Sequence, residues 1–179
     1  MRFDLGRVSL ELSKLDLQDA LDMAVLIEQE AHDRYVQFAD QLGVRYSGDA
    51  GSVFETMAAN EAKHRDQLIA KRHSLFGQAP SRLNQDFVDE VEAPGFDKPR
   101  AFMSARHALQ VALECEVKAQ AFFDHALTLV SDNDVKELFT ELRDEEIEHQ
   151  RFLNAALARV SAEMTPDVDP EDVEMPPGL

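Results

Sequence analysis

The chain has 179 residues, 35 acidic against 18 basic, and a net charge of −17. That balance argues against nucleic acid and anionic membranes as partners, since both call for basic surface. A single cysteine, Cys115, excludes a disulfide framework and any iron or zinc site built on four thiolates.

The length suits one well-buried domain, and the sparse Gly and Pro, seven of each, favour helices. No apolar run approaches a membrane span. The opening MRFDLGRVSLELSKLDL interrupts any signal-peptide core with acids and serines, so a cytoplasmic location is expected.

Residues 1–16 are weakly periodic and read as an N-terminal arm or short extra element. Asp16 is placed to cap a first helix over about 17–42, closed by Gly43. Its stripe runs Ala24, Glu28, Ala31, Tyr35, Phe38, Leu42, with Glu28 its one charged member. After a turn over 44–48, the pattern predicts a second helix over Asp49–Phe76, stopped by Gly77. Its stripe is Phe54, Met57, Glu61, His64, Leu68, Leu75.

Pro80, Pro94 and Gly95 break the pattern over 77–98, which reads as a long crossover holding at most a helical turn near 86–91. Pro99 suits the first position of a third helix reaching about Val130, with stripe Leu109, Ala112, Glu116, Ala119, Phe123, Ala126, Val130. Asp132 or Asn133 caps a fourth helix over about 134–162. Its stripe is Val135, Leu142, Glu146, His149, Leu153, Ala156, Val160. The last segment, 163–179, is acidic and Pro-rich and is expected to be a disordered tail. The bundle thus spans 17–162, an all-α antiparallel four-helix bundle of two hairpins joined by one long crossover.

The two hairpins repeat each other. Glu28, Ala31 and Tyr35 align with Glu116, Ala119 and Phe123, and each Glu precedes an E-x-x-H step, Glu61–His64 or Glu146–His149. That step sets a carboxylate and an imidazole on one helical face. A helix seam does not accept an uncompensated carboxylate, because its burial costs several kcal/mol, and the stripes offer no Lys or Arg as partner. Two divalent cations would neutralise four seam glutamates and leave the histidines as nitrogen ligands. The donor set suits iron or manganese and tolerates zinc.

One E-x-x-H in an acidic helical protein is commonplace. Two of them, each following a stripe Glu at similar distance, match the ligand set of a di-iron carboxylate bundle. Glu30, Glu145 and Glu148 lie off the stripes and are expected to face solvent. Glu114 would replace Glu116 if the third helix were rotated, although the apolar stripe favours Glu116. His32, His73, His107 and His125 read as surface, rim or structural residues, and Cys115 as a buried, inert thiol. Tyr35 is a core aromatic whose hydroxyl could hydrogen-bond a ligand carboxylate.

These motifs, E-x-x-A-x-x-x-Y at Glu28–Tyr35, E-x-x-H at Glu61–His64, E-x-x-A-x-x-x-F at Glu116–Phe123 and E-E-x-x-H at Glu145–His149, resemble the ferritin-like superfamily, and within it the rubrerythrin and erythrin branch. The resemblance implies Glu28 and His64 on one iron, Glu116 and His149 on a second, and Glu61 and Glu146 bridging them. It implies oxidation of the diferrous centre by O2 or H2O2, as a ferroxidase or peroxidase in iron homeostasis or oxidative stress. A homodimer or higher homo-oligomer is also expected.

Two departures stand out. The chain has no rubredoxin-type domain on four cysteines, so any electron donor would be a separate protein. Ala119 stands where rubrerythrin carries an extra glutamate, which shifts the expectation from a peroxidase cycle toward a simpler oxidase or ferroxidase. The alternatives are a hydroxylase or oxidase of an organic substrate, a non-enzymatic iron-binding or storage protein assembling into an oligomer, and a metal-free interaction module.

Overall fold

The computed structural model of the chain describes residues 12–43, 49–83, 91 and 105–159. Four long helices follow a short 3-10 turn at Leu12–Lys14: α1 (Leu17–Gly43), α2 (Asp49–Phe76), α3 (Ala105–Leu129) and α4 (Asn133–Arg159). Among the described residues there is no strand. Short links, 44–48 and 130–132, join α1 to α2 and α3 to α4, which makes each pair an antiparallel hairpin. The most extensive packing is indeed α1 on α2 and α3 on α4, and the hairpins then meet along α2–α3 and α1–α4. Of the stretch between the described ends of α2 and α3, residues 77–83 and 91 are described, and they are not helical. The result is an all-α four-helix bundle.

Local chemistry explains the helix ends. Asp19 donates its backbone N–H to Asp16 Oδ1 at 2.9 Å, the expected N-cap of α1. The cap holds the Asp16 carboxyl below its usual range, helped by the Arg82 guanidinium. Asp132 rather than Asn133 caps α4, with Oδ1 accepting from the N–H groups of Asp134 and Val135 at 2.9 and 3.1 Å. Gly77 ends α2 at φ 57° and donates its N–H to the His73 carbonyl at 2.9 Å, a left-handed cap that favours glycine. Gly43, expected just beyond α1, is its last helical residue.

The core has two apolar layers. One gathers Leu21, Ile27, Phe122, Phe123 and Phe139 with Leu12 and Leu15. The other gathers Tyr35, Phe38, Phe54, Met57, Leu109 and Leu153. Every helix contributes to both layers, and on every helix the stripe glutamate falls between the two contributions. The aromatic rings interlock, with Phe38 edge-on to Phe54 at 5.3 Å and Phe123 tilted against Phe139 at 5.6 Å.

Several expectations need correction. Of the segment read as an arm or short extra element, residues 12–14 form the 3-10 turn, and Leu12 and Leu15 are buried in the first layer. Leu75, placed on the α2 stripe, is 54% exposed, and in that last turn it is its neighbour Phe76 that packs against the core. The arm's residues 1–11, the predicted turn over 86–90, the start of the third helix at 99–104, the end of the fourth at 160–162 and the tail at 163–179 lie outside the described residues.

After Gly77 the chain is tied back onto the start of α1. Arg72 Nε donates to Asp22 Oδ1 at 2.8 Å, and its other nitrogens reach the carbonyls of Gly77 and Ala79. Arg82 pairs with Asp16 and Asp19, and Gln18 Nε2 donates to the Pro80 carbonyl at 3.0 Å. One end of the bundle is thereby closed.

Candidate metal centre

Glu28, Glu61, Glu116 and Glu146 are all buried, one from each helix, between the two apolar layers. Glu114, the alternative on α3, is exposed, so Glu116 is the inward residue. His64 and His149 close the cluster with side chains 13% and 12% exposed. Their rings stack in parallel, 5.0 Å apart and 2° from coplanar alignment, across α2 and α4.

Two overlapping triplets emerge. Glu28, Glu61 and His64 offer one ligand atom each within 4.8 Å of one another, and so do Glu61, Glu116 and His149. Glu61 belongs to both. Glu146 lies outside the triplets, with Oε2 3.9 Å from His149 Nδ1. The six residues singled out in the sequence therefore share one buried cluster, with Glu146 at its margin.

Glu116 is held on both oxygens. The Tyr35 hydroxyl donates to Oε1 at 3.0 Å, and His149 Nδ1 lies 2.9 Å from Oε2, where a ring N–H donates to the carboxylate. Tyr35 thus does reach a carboxylate of the cluster, across the bundle on α3. Gln150 was not foreseen. Its Nε2 donates to the Glu116 carbonyl at 3.2 Å and to Gln120 Oε1 at 2.8 Å, fixing α4 against α3. A glutamine next to the histidine of an E-x-x-H step carries no periodic signal.

The electrostatics fit a cation site. Burial pushes the Glu28 carboxyl up to about 7 despite its hydrogen bond to Glu61. Burial, with the neighbouring His149 and Lys63 charges, lowers His64 to about 4, so its ring is neutral at physiological pH and its lone pair is available. Burial works against a charged His149, but the Glu116 hydrogen bond and the surrounding carboxylates outweigh it and raise its pKa. Three buried carboxylate oxygens, Glu28 Oε2, Glu61 Oε1 and Glu146 Oε2, accept no hydrogen bond. A purely structural polar network satisfies such atoms, whereas cation ligands must keep them available. The donor set fits divalent iron.

The neighbouring acids divide. Glu148 is exposed as expected. Glu30 is not: its side chain is 10% exposed and pairs with buried Arg34 at 3.6 Å. Glu145 is half-buried, and burial raises its pKa. Cys115 is buried, as expected.

A four-helix bundle with a carboxylate–histidine cluster across its middle is a ferritin-like architecture. The rubrerythrin family model matches residues 19–157, and the chain belongs to that family. The rubrerythrin family typically binds iron. An uncharacterized conserved protein from Magnetospirillum magnetotacticum MS-1, known from a crystal structure, shares the fold with a TM-score of 0.65 and 24% identity over 85% of this chain and 100% of its own. No curated protein matches the chain. Among the described residues no helix is long and apolar enough to cross a membrane.

Proposed function

We propose that the protein is a di-iron oxidoreductase that oxidises Fe(II) with O2 or reduces H2O2. The pair of triplets sharing Glu61 carries this reading. In it Glu28 and His64 hold one ion, Glu116 and His149 the other, Glu61 serves both, and Glu146 completes the second half. Bound iron would supply one-electron redox chemistry and polarise the oxidant.

The chain's own groups do the rest. Tyr35 fixes Glu116 Oε1, so Oε2 faces His149 in one orientation. His64 stays neutral and ready to ligate. The two apolar layers keep bulk water from the cluster along the bundle axis. Two bound Fe(II) would supply one electron each, two in all. With O2, these two electrons and two protons give H2O2; with H2O2 as oxidant they give two waters. The nearby protons are those of Glu28 and His149, the two groups of the cluster whose pKa is raised.

Metal analysis combined with stopped-flow absorbance of the Fe(II)-loaded protein, mixed separately with O2 and H2O2, tests the reading. Rapid oxidation by either supports it and names the oxidant. Iron that binds but does not oxidise with either leaves the second reading, an iron-binding or storage protein, for which mass in solution and iron per chain are the readouts. A separate electron-donor protein and a homo-oligomer belong to the same proposal.

A further inference from the structure

A pocket of about 120 Å³ opens between α2 and α4, lined by His64, Gln67 and Lys71 from one helix and Glu141, Leu142 and Glu145 from the other. His64 also belongs to the Glu28–Glu61–His64 triplet, so pocket and cluster share a wall. The space has room for a few water molecules. That suits a partly hydrated ion or a diatomic oxidant and is too small for a bulky organic substrate.

The charges along the pocket are graded. At the exposed rim Lys71 Nζ pairs with Glu141 Oε2 at 3.1 Å, with side chains 42% and 55% exposed. Glu145 is half-buried, close enough to Glu28 and His149 for its charge to act on both. Lys71 is thus already matched, which leaves Glu145 as the pocket's second carboxylate, on the α4 side of the pocket that His64 lines from α2. Glu145 and His64 line the same pocket, and a carboxylate with an imidazole is a donor set that suits Fe(II).

Resting on the metal reading above, we propose that this pocket is the route by which Fe(II) reaches the centre. Glu145 captures the incoming cation and hands it to His64, water ligands being exchanged for protein ones at each stage. Fe(II) is then a substrate that arrives through α2–α4. A neutral oxidant gains nothing from Glu145, so the residue acts on the cation alone.

The test uses the full chain, Co(II) as an oxygen-insensitive probe and the variants Glu145→Gln and Gln67→Phe. Gln67 is exposed on the pocket wall, and a phenyl ring there narrows the opening without touching the cluster. Co(II) uptake is followed by its visible ligand-field absorbance after anaerobic mixing. The expected result is uptake slowed about tenfold in each variant, the scale of local electrostatic capture, with the final Co(II) per chain unchanged. Wild-type rates in both variants overturn the route while leaving the metal centre intact. A lower final stoichiometry in Glu145→Gln overturns it too, by making Glu145 a resident ligand. Absence of Co(II) uptake in the unmodified protein overturns the metal reading itself.

Discussion

The Tyr35 hydroxyl donates to Glu116 Oε1 across the middle of the bundle, at 3.0 Å and in complete burial. The corresponding place in the other hairpin is Phe123, which has no hydroxyl to offer Glu28. One half of the centre therefore carries a fixed carboxylate, whereas Glu28 keeps a buried oxygen that accepts no hydrogen bond. Tyr35→Phe should lower stability by about 1 kcal/mol in the metal-free protein, the usual net worth of such a bond, with more if Glu116 is left unsatisfied. Chemical denaturation checks this, and a stability equal to wild type would show that the bond contributes nothing.

Glu61 is common to both triplets, so its loss reaches further than any other single change. Glu61→Gln should reduce Co(II) or Mn(II) binding at both positions, while Glu28→Gln should remove one and spare the other. Titration calorimetry reads the stoichiometry directly. Without metal, Glu61→Gln should instead stabilise the fold, because it takes one charge out of a crowded buried cluster.

The pH response of the metal-free cluster follows from three of its groups, and Glu145 beside it, whose pKa burial also raises, adds to the loss of stability as pH rises. Glu28, raised from 4.5 to about 7, makes the folded state hold a proton that the unfolded chain has lost, so stability falls as pH rises between those values, by about 2–3 kcal/mol. His64, lowered from 6.5 to about 4, acts oppositely over that lower range and offsets much of this. His149 is raised above 6.5, so its contribution is present below that pH and disappears as pH climbs through its folded value. The melting temperature should therefore change little from pH 5 to 6.5 and drop from 6.5 to 8. Over that interval divalent-cation affinity should tighten as Glu28 and His149 release their protons. A melting temperature that rises from 6.5 to 8 would contradict this account.

Gly77→Ala should destabilise the protein by about 1 kcal/mol. The left-handed φ of 57° strains any side chain, and a Cβ there would meet nothing within 4 Å, so the penalty is conformational alone. Asp132→Ala should lose a similar amount by freeing the first N–H groups of α4. Thermal melts of the two single variants and the double variant should show additive losses, because the sites share no contact.

Much of this architecture is legible in the sequence because helical period and burial agree. Phe54, Met57, Leu109 and Leu153 mark the inward faces, and a glutamate on such a face stands out by its desolvation penalty. Glu30 escaped that logic because its neutralising partner, Arg34, is one turn away on its own helix. Periodicity registers a face, not a partner. Leu12 and Leu15 are covered by helices distant in sequence, and the bond from Tyr35 to Glu116 spans 81 residues. Such relationships depend on how the hairpins dock, which no local pattern encodes. The pocket is likewise a property of the space between two helices.

The proposed ligands are divided between the hairpins, with Glu28, Glu61 and His64 on one and Glu116, Glu146 and His149 on the other. Each hairpin alone holds half a centre. A cation gripped from both sides is therefore a cross-link, and its binding free energy adds directly to the cohesion of the two halves. Protein emptied of metal should loosen first along the plane where His64 and His149 stack, exchanging amide hydrogens there before either hairpin opens.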